Sequence, residues 1–267
     1  MKTRIIYEDE HILVAYKPAG LATQTAKVGQ ADMVSELKKD IMTRMRAQAV
    51  SVKADGDKGK ERAGKVSSGK QMQQPYLGLV HRLDQPVEGL LVFGKNQKAT
   101  AELNKQLGDG GLNKQYFAVV CGKPVAREGE LVDYLIKNKD NCAQVVNEQL
   151  AEYADAKKAV LQYKILESLS TPDELALADI HIDTGRFHQI RVQMAHAGMP
   201  LLGDSKYGNA QTGELAGKLG VRFVALCAYK LIVKHPVTRQ KMSFEIKPEN
   251  KAFDFFLENN FGCDCLY

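Results

Sequence analysis

The chain has 267 residues, of which 44% are hydrophobic and 26% charged, as in an ordinary soluble globular protein. Its longest apolar runs fall short of the roughly 20 residues that a membrane-spanning helix needs, and acidic residues interrupt the start, so we expect a cytoplasmic protein with no membrane association. The net charge of +5 permits a polyanionic partner without requiring one, and five scattered cysteines indicate neither a disulfide framework nor a metal site.

The first part of the chain predicts a hairpin, a helix and an irregular insertion. Residues 4–7 and 12–16 are β-rich and flank three acids, which predicts two paired strands. Apolar residues at helical spacing predict a helix from Asp32 to about Arg46. Residues 47–75 are rich in Lys, Gly, Ser and Gln, so we expect a flexible basic insertion. Its basic residues could contact a nucleic acid, but the interspersed acids fit a solvated loop as well.

The remainder alternates runs of strands with a few helices. The predicted helices cover residues 97–107, 186–197 and 251–259. The predicted strands cover residues 78–84, 89–95, 114–121, 130–137, 158–168, 175–182, 223–234 and 241–247. Adjacent strand runs with few strand–helix–strand alternations predict an α+β fold, with a mixed, mostly antiparallel central sheet and flanking helices. We expect one catalytic domain over residues 1–267, with the basic insertion inside it.

A charged cluster follows the short apolar strand predicted over residues 78–84. It contains His81, Arg82 and Asp84, and Gln85 and Pro86 then force the chain to turn. A carboxylate at the end of a strand is well placed to project into a cleft. A turn-forming aspartate before a proline would give the same pattern, so both readings stay open.

A second polar cluster lies where the strand at 175–182 ends and the helix at 186–197 is predicted to begin. Its candidate site residues are Thr184, Gly185, Arg186, His188, Gln189 and Arg191. An apolar stripe is expected to face inward along this helix, formed by Phe187, Ile190, Met194 and Ala197. Arg191 borders that stripe, so its guanidinium needs a carboxylate partner, for which Asp84 is a candidate. A purely structural ion pair is the alternative.

A tyrosine on the strand predicted over residues 114–121 is the third candidate. Tyr116 and Ala118 share one face of that strand, while Phe117 and Val119 share the other. Tyr116 could stack on a nucleobase beside an active carboxylate. Alternatively, it is an ordinary half-buried strand tyrosine.

Taken in order, these runs resemble the RluA-type pseudouridine synthase family over most of the chain. The matching positions are residues 6–9, 12–14, 17–20, 81–84, 89–92, 114–118, 184–186 and 188–191, with Gly198, Pro200, 203–204, 207–208, Leu226, Ala228 and 235–238. The resemblance implies an isomerase that converts uridine in RNA to its carbon-linked isomer, with neither cofactor nor metal. It also implies a single α+β catalytic domain acting on ribosomal or transfer RNA, and we expect a monomer.

The resemblance assigns roles to the candidate residues. Asp84 matches the catalytic aspartate, Tyr116 the tyrosine that stacks on the base, and Arg191 the arginine paired with the aspartate. Arg82 matches the arginine associated with displacing the target base. The remaining candidates are assigned to substrate binding: His81, Thr184, Gly185, Arg186, His188 and Gln189.

Two departures from the family pattern stand out. The family commonly has Thr-Ser-Gly shortly after the aspartate, whereas this chain has Val87, Glu88 and Gly89. We therefore expect the loss of these hydroxyls to affect loop support or substrate choice, but not the nucleophile itself. Many relatives carry an N-terminal RNA-binding domain, but the match begins almost at Met1, so we expect none.

Two other functions compete with this reading. One is a non-catalytic RNA-binding protein of the same fold, against which the complete set of Asp84, Tyr116 and Arg191 argues. The other is a metal-dependent hydrolase, although the compact ligand pairs of zinc enzymes are absent from the sequence. Its candidate ligands would be His81, Asp84, His181, Asp183, His188 and His196.

Overall fold

The computed structural model describes residues 2–25, 29–55, 73–152, 155–170 and 174–256. The strands are β1 (Arg4–Glu8), β2 (Ile12–Lys17), β3 (Gly78–Leu79), β4 (Glu88–Gly94), β5 (Asn113–Cys121), β6 (Glu128–Lys137), β7 (Ala143–Val146), β8 (Lys157–Leu169), β9 (Leu175–Ile182), β10 (Leu226–Lys234) and β11 (Lys241–Glu245). The helices are α1 (Met33–Asp55), α2 (Gln97–Gly108), α3 (Glu148–Ala151), α4 (Gln189–His196) and α5 (Ala210–Leu219), and a 3₁₀ turn covers Lys251–Phe253.

All eleven strands in the described residues belong to one sheet. Their order is β1-β2-β4-β10-β5-β9-β8-β6-β7, with β11 paired to β10 and β3 paired to β4. Among these strands β4 and β10 pair in parallel, and the other pairs are antiparallel. The predicted α+β class with a mixed, mostly antiparallel sheet is confirmed.

Alternating side chains on β5 divide the core between the two faces of the sheet. Tyr116 and Ala118 join a cluster that includes residues of α1 and α4. Phe117 and Val119 join another cluster with α5 and the segment that ends at Phe256. The period of two residues along the strand thus places Tyr116 on the face that α4 covers.

The predicted insertion at residues 47–75 is wrong in its first part, because α1 continues through Asp55. Three alanines at positions 47, 49 and 54 extend the helix, since alanine has the highest helix propensity. Residues 56–72 lie outside the described residues. The same holds for the end of the helix predicted over 251–259, which is helical up to residue 256.

Two predictions near the candidate site are also wrong. The strand predicted over residues 78–84 ends at Leu79, so Asp84 lies on a loop rather than at a strand end. The helix predicted to start at Arg186 starts at Gln189, which leaves Phe187 and Ala197 exposed while Ile190 and Met194 are buried. The backbone of His188 is the reason, because its φ of 53° is incompatible with a right-handed helix.

No helix in the described part of the chain is long and apolar enough to cross a membrane.

Candidate active site

A buried arginine joins two aspartates at the centre of the site. Arg191 lies on α4 and its side chain is only 3% exposed. Its Nε and Nη2 donate to Oδ2 and Oδ1 of Asp204, both at 2.7 Å, and its Nη1 donates to Oδ2 of Asp84 at 3.1 Å. Burial lowers the pKa of Arg191, but the hydrogen bonds and charge of Asp204 and then Asp84 outweigh it and raise the pKa above its ordinary value. The predicted contact between Arg191 and Asp84 is therefore present.

Asp204 is the principal partner of Arg191, and it was not among the predicted site residues. Its Oδ1 also accepts the backbone N–H groups of Lys206 and Tyr207, at 2.9 and 3.2 Å. The turn depends on Gly203, whose φ is 75° and where a Cβ would lie 2.6 Å from the carbonyl oxygen of Phe223. A buried guanidinium has five N–H donors, more than one carboxylate satisfies, and that excess was the available signal for a second acid.

Asp84 lies on the loop between β3 and β4, and both sides of this loop are anchored. Thr23 accepts the N–H of Leu83 at 3.2 Å and donates its hydroxyl to the Leu83 carbonyl at 2.9 Å. Lys17 Nζ donates to the carbonyl of Gln85 at 3.1 Å. The Asp84 side chain is 25% exposed, and within the described residues its Oδ1 has no hydrogen-bond partner. One oxygen is thus held by Arg191 and the other is open.

Lys17 is a fully buried amine beneath this loop. Besides Gln85, its Nζ donates to the carbonyls of Pro18 and Leu21, at 3.1 and 2.7 Å. Burial lowers the pKa of Lys17 to about 7, against the opposing charges of Asp84 and Glu88. Three carbonyl acceptors match the three donors of one ammonium group, so a single side chain fixes both the 18–21 turn and the loop that carries Asp84.

Tyr116 lies on the face of the sheet that α4 covers. The side chain is buried in the same cluster as Ile190 of α4. Burial raises the pKa of Tyr116, and the charge of Asp84 raises it further. The hydroxyl therefore stays protonated.

His188 lies against the same carboxylate. Its Nε2 is 3.6 Å from Oδ2 of Asp84, which is beyond hydrogen-bond distance, and its Nδ1 is 2.7 Å from the hydroxyl of Tyr207. The Tyr207 hydroxyl accepts the N–H of Ala143 at 2.6 Å, so its own proton can go to Nδ1 and leave the His188 proton on Nε2. Burial lowers the pKa of His188 to about 4. The charge of Asp84 raises this pKa and the charge of Arg191 lowers it, and both effects are smaller than that of burial.

Thr184 and Gln189 hold the connection between β9 and α4. Thr184 accepts the N–H of Val160 at 3.0 Å and donates to Oε1 of Gln189 at 2.8 Å. Gln189 also accepts the N–H of Arg186 at 2.9 Å and donates to the Val160 carbonyl at 2.9 Å. These contacts tie the connection to β8, and they occupy the polar atoms that were predicted to bind substrate.

The other predicted residues divide between surface and core. Arg82, Gly185 and Arg186 are exposed, and Nε of Arg186 donates to the carbonyl of Lys158 at 3.0 Å. His81 is instead buried, and its Nε2 accepts the N–H of Val92 on β4 at 3.3 Å. Burial lowers the pKa of His81 well below its usual value. The His81 ring supports the strand and is not presented at the surface.

The ligands proposed for a metal-dependent hydrolase do not converge. His181 contacts Asp183, and His196 contacts Asp133 on β6. Within the described ranges, no group of three or more His, Cys, Asp and Glu side chains could hold a metal ion. The geometry gives this alternative no ligand set.

Glu88 accounts for one departure from the family pattern. It is fully buried, and its carboxylate accepts the hydroxyl of Tyr16 at 2.6 Å and the N–H groups of Glu249 and Asn250 at 3.2 and 2.9 Å. Burial raises the pKa of Glu88, partly offset by these three hydrogen bonds. The residue ties the start of β4 to the C-terminal segment, while Val87 packs in the core.

Solved structures confirm the fold. The structure of human RNA Pseudouridylate Synthase Domain Containing 1 covers 92% of this chain and 84% of its own, with a TM-score of 0.66 and 18% identity. That of human RNA Pseudouridylate Synthase Domain Containing 4 covers 94% and 91%, with a TM-score of 0.65 and 21% identity. The large mixed sheet therefore has the fold of pseudouridylate synthase domains.

Sequence comparison then gives the family. The family model described as RNA pseudouridylate synthase matches residues 11–196. Ribosomal large subunit pseudouridine synthase C of Rickettsia prowazekii is 31% identical over 91% of this chain and 67% of its own. Ribosomal large subunit pseudouridine synthase D of Zymomonas mobilis is 31% identical over 90% and 68%. The chain belongs to the RNA pseudouridylate synthase family, in its RluA-type branch, and is an isomerase that forms pseudouridine in RNA.

Proposed function

We propose that the chain isomerises specific uridines in ribosomal RNA, with Asp84 as the nucleophile. The main support for this proposal is that the two oxygens of the Asp84 carboxylate differ in their contacts. Its Oδ2 is fixed by Arg191, which is itself held by Asp204, while Oδ1 is open at a partly exposed position. The choice of ribosomal RNA is supported by the names of the bacterial relatives.

The reaction needs one carboxylate and balances without a second reactant. The bond between C1′ of the ribose and N1 of uracil breaks, the base rotates, and C5 bonds to C1′ while the C5 proton leaves and N1 gains one. Bond breaking places positive charge on the sugar, which an aspartate can accept by covalent attack or stabilise electrostatically. Arg191 orients Oδ2, so Oδ1 is the atom that meets the nucleotide.

The target uridine has to leave the RNA helix, at a cost of a few kcal/mol. Tyr116 is the residue that we assign to stacking on the base, which is worth about 1–3 kcal/mol and requires RNA binding to uncover its buried ring. Arg82 is exposed two residues before Asp84, where it can occupy the space that the base vacates. Arg82 and Tyr116 thus both stabilise the flipped-out uridine, Arg82 by filling the space it leaves in the RNA and Tyr116 by stacking on its base.

We assign two of the other predicted site residues to contact with the RNA and four to support of the site. Gly185 and Arg186 are exposed beside α4 and contact the RNA backbone. Thr184, Gln189 and His188 position α4 and the Asp84 carboxylate. His81 supports β4 from the core.

The proposal also includes the domain organisation, the oligomeric state and the location of the protein. Residues 1–267 form one catalytic domain, which acts as a monomer in the cytoplasm. The shared sheet supports one domain, and the bacterial relatives named for ribosomal RNA support the compartment.

Tritium release tests the proposal. RNA labelled with tritium at C5 of uracil is prepared from cells that lack this gene, separated into ribosomal and transfer RNA, and incubated with wild-type protein or Asp84→Asn. We expect release from ribosomal RNA by the wild type alone, with equal RNA binding by both proteins. Release from transfer RNA alone would contradict the substrate, and RNA binding without release would favour a non-catalytic RNA-binding protein.

A further inference from the structure

An exposed aromatic ring stands at the rim of the active site. Phe187 lies between two candidate site residues, Arg186 and His188, yet its side chain is 41% exposed. The left-handed backbone of His188 separates it from α4, so Phe187 is excluded from the buried stripe of that helix. A single exposed apolar side chain is ordinary on a protein surface, so what distinguishes Phe187 is its position next to His188 and Asp84.

Phe187 is one side chain away from the nucleophile. Its ring stacks on the His188 ring, with centroids 3.8 Å apart and planes inclined by 22°. The Nε2 of His188 is in turn 3.6 Å from Oδ2 of Asp84. A group stacked on Phe187 would therefore lie on the side of a nucleotide held at Asp84 that faces His188.

A cation accompanies the ring. Nζ of Lys137, on the last residue of β6, lies 4.9 Å from the Phe187 ring centroid. Lys137 and the adjacent residue Arg186 are both exposed, so two cationic side chains accompany the ring. A flat apolar surface with neighbouring cations matches an unpaired nucleobase with its phosphate, because every base has a π-face and every phosphate a negative charge.

We propose that Phe187 is a stacking platform for an unpaired base next to the target uridine, with Lys137 pairing with a phosphate of that nucleotide. This inference rests on the proposed RNA substrate and adds a second recognised nucleotide. When the base stacks, it takes the place of the Lys137 ammonium on the ring, and the flexible lysine side chain turns to the phosphate. The enzyme thus selects uridines whose neighbour can also unstack.

The test is a thermodynamic cycle, in which a substitution in the protein is combined with the removal of one base from the RNA. The probe is a fluorescent RNA hairpin whose loop contains a single uridine flanked by adenosines, compared with versions that carry an abasic residue on the 5′ or the 3′ side. Dissociation constants are measured for wild type, Phe187→Leu and Phe187→Tyr. Phe255→Leu is the matched control, because Phe255 is 39% exposed in the segment that packs on the other face of the sheet.

We expect an abasic residue on one side to weaken wild-type binding on the order of 10-fold. In Phe187→Leu, which already binds about 10-fold more weakly, the same change should cost less than 2-fold, whereas Phe187→Tyr and Phe255→Leu should keep the full effect. Lys137→Gln should lower the salt dependence of binding by about one phosphate contact.

Equal abasic effects in wild type and Phe187→Leu, on both sides, would overturn the proposal. A slower reaction of Phe187→Leu on every hairpin, without this coupling, would also overturn it, since it would mean that the ring only supports His188. Tritium release from the same hairpins is measured in parallel. Coupling without release would support the platform and contradict the proposed catalysis, so the two failures are distinguishable.

Discussion

Two aspartates share one arginine at the site, but they are used differently. Asp204 accepts four hydrogen bonds, two from Arg191 and two from backbone N–H groups, and its side chain is fully buried. Asp84 accepts one bond from Arg191 and remains partly exposed. A buried charge persists only when it is paired and hydrogen-bonded. Asp204 thus satisfies Arg191, which leaves Asp84 available for chemistry.

Loss of the Asp204 charge is expected to reduce both stability and rate. In Asp204→Asn the buried guanidinium keeps only part of its pairing, and breaking a buried pair costs about 3–5 kcal/mol. We expect the free energy of unfolding in urea to fall by about 3 kcal/mol, and the single-turnover rate to fall at least about 10-fold because Arg191 no longer orients Asp84. RNA affinity should change little, since Asp204 is buried.

The matched control is Glu102→Gln, which removes an exposed ion pair with Arg239. Such exposed pairs are screened by solvent and contribute little to stability, so this variant should unfold and react like the wild type. If Asp204→Asn matched the control in both measurements, the role given to Asp204 would be wrong.

His188 should produce a pH dependence of stability. Its pKa is about 4 in the folded protein, against 6.5 for an unperturbed histidine. Between these values the unfolded chain binds more protons, so the free energy of unfolding contributed by this group rises as the pH rises from 4 to 6.5. Relative to His188→Asn, the wild type should gain on the order of 1–3 kcal/mol between pH 4.5 and pH 7.

Urea unfolding at several pH values measures that difference. His196→Asn serves as the control, because the exposed His196 contacts Asp133 away from Asp84. Parallel pH curves for wild type and His188→Asn would contradict the buried, neutral state of His188.

At this scale, part of the site could be predicted from the sequence. The Arg191–Asp84 contact could be predicted because a guanidinium beside an apolar stripe needs a carboxylate. Asp204 could not be singled out, since sequence spacing does not say which acid a turn brings to a buried arginine. Phe187 was wrongly placed in the core because the helix starts three residues later than its apolar spacing suggested.

Among the elements, the connection between β3 and β4 depends most on its neighbours. It carries Asp84 without regular secondary structure, and its geometry is fixed from outside by Thr23 and Lys17. At its end, Glu88 binds Tyr16 of β2 and the backbone at residues 249–250. The residues that replace the common Thr-Ser pair thus stabilise the element that carries Asp84.

Replacing Glu88 by serine, the residue common in the family, is expected to destabilise this chain. A serine hydroxyl is too short to meet the Tyr16 hydroxyl and two backbone N–H groups together, and each buried polar group left unpaired costs about 1–3 kcal/mol. We expect the midpoint of thermal unfolding to fall and the free energy of unfolding to drop by about 2–4 kcal/mol. Glu245→Ser, which removes an exposed partner of Lys230, is the control. Unchanged stability of Glu88→Ser would show that the network is dispensable.

The elements that sequence patterns predicted are the long, regular ones. The strand β9 lies at the predicted residues, and β5, β6 and β8 differ from prediction by one or two residues at their ends. The short elements β7 and α3 were missed because four residues carry too little periodicity. The helix α5 was missed because Gly213 and Gly217 lower its helix propensity. The signal for its start was the capping box that Asn209 and Thr212 form.

For the whole molecule, the sheet links the site to the rest of the protein. The strands β4, β10, β5 and β9 are consecutive neighbours in the sheet, and the connections before β4 and after β9 carry Asp84 and α4. Clusters on the two faces share the same strands, because alternate residues of β5 belong to different clusters. Neither face can unfold without exposing the other.

This arrangement predicts one cooperative unfolding transition. Because the core clusters share strands, the calorimetric enthalpy of unfolding should equal the van't Hoff enthalpy, and fluorescence and circular dichroism should report the same midpoint. Two separated transitions would contradict the proposal of a single catalytic domain.

We propose that the carboxylate of Asp84 performs the chemistry while Arg191 and Asp204 hold it in place. The most direct test is the single-turnover rate of tritium release from C5-labelled ribosomal RNA by Asp84→Asn, with RNA binding measured on the same samples. The amide keeps the size of the side chain but removes the nucleophilic oxygen. We predict binding within about 3-fold of wild type and a rate reduced by at least about 10⁴-fold. A rate within about 10-fold of wild type would contradict the role of Asp84 as the nucleophile.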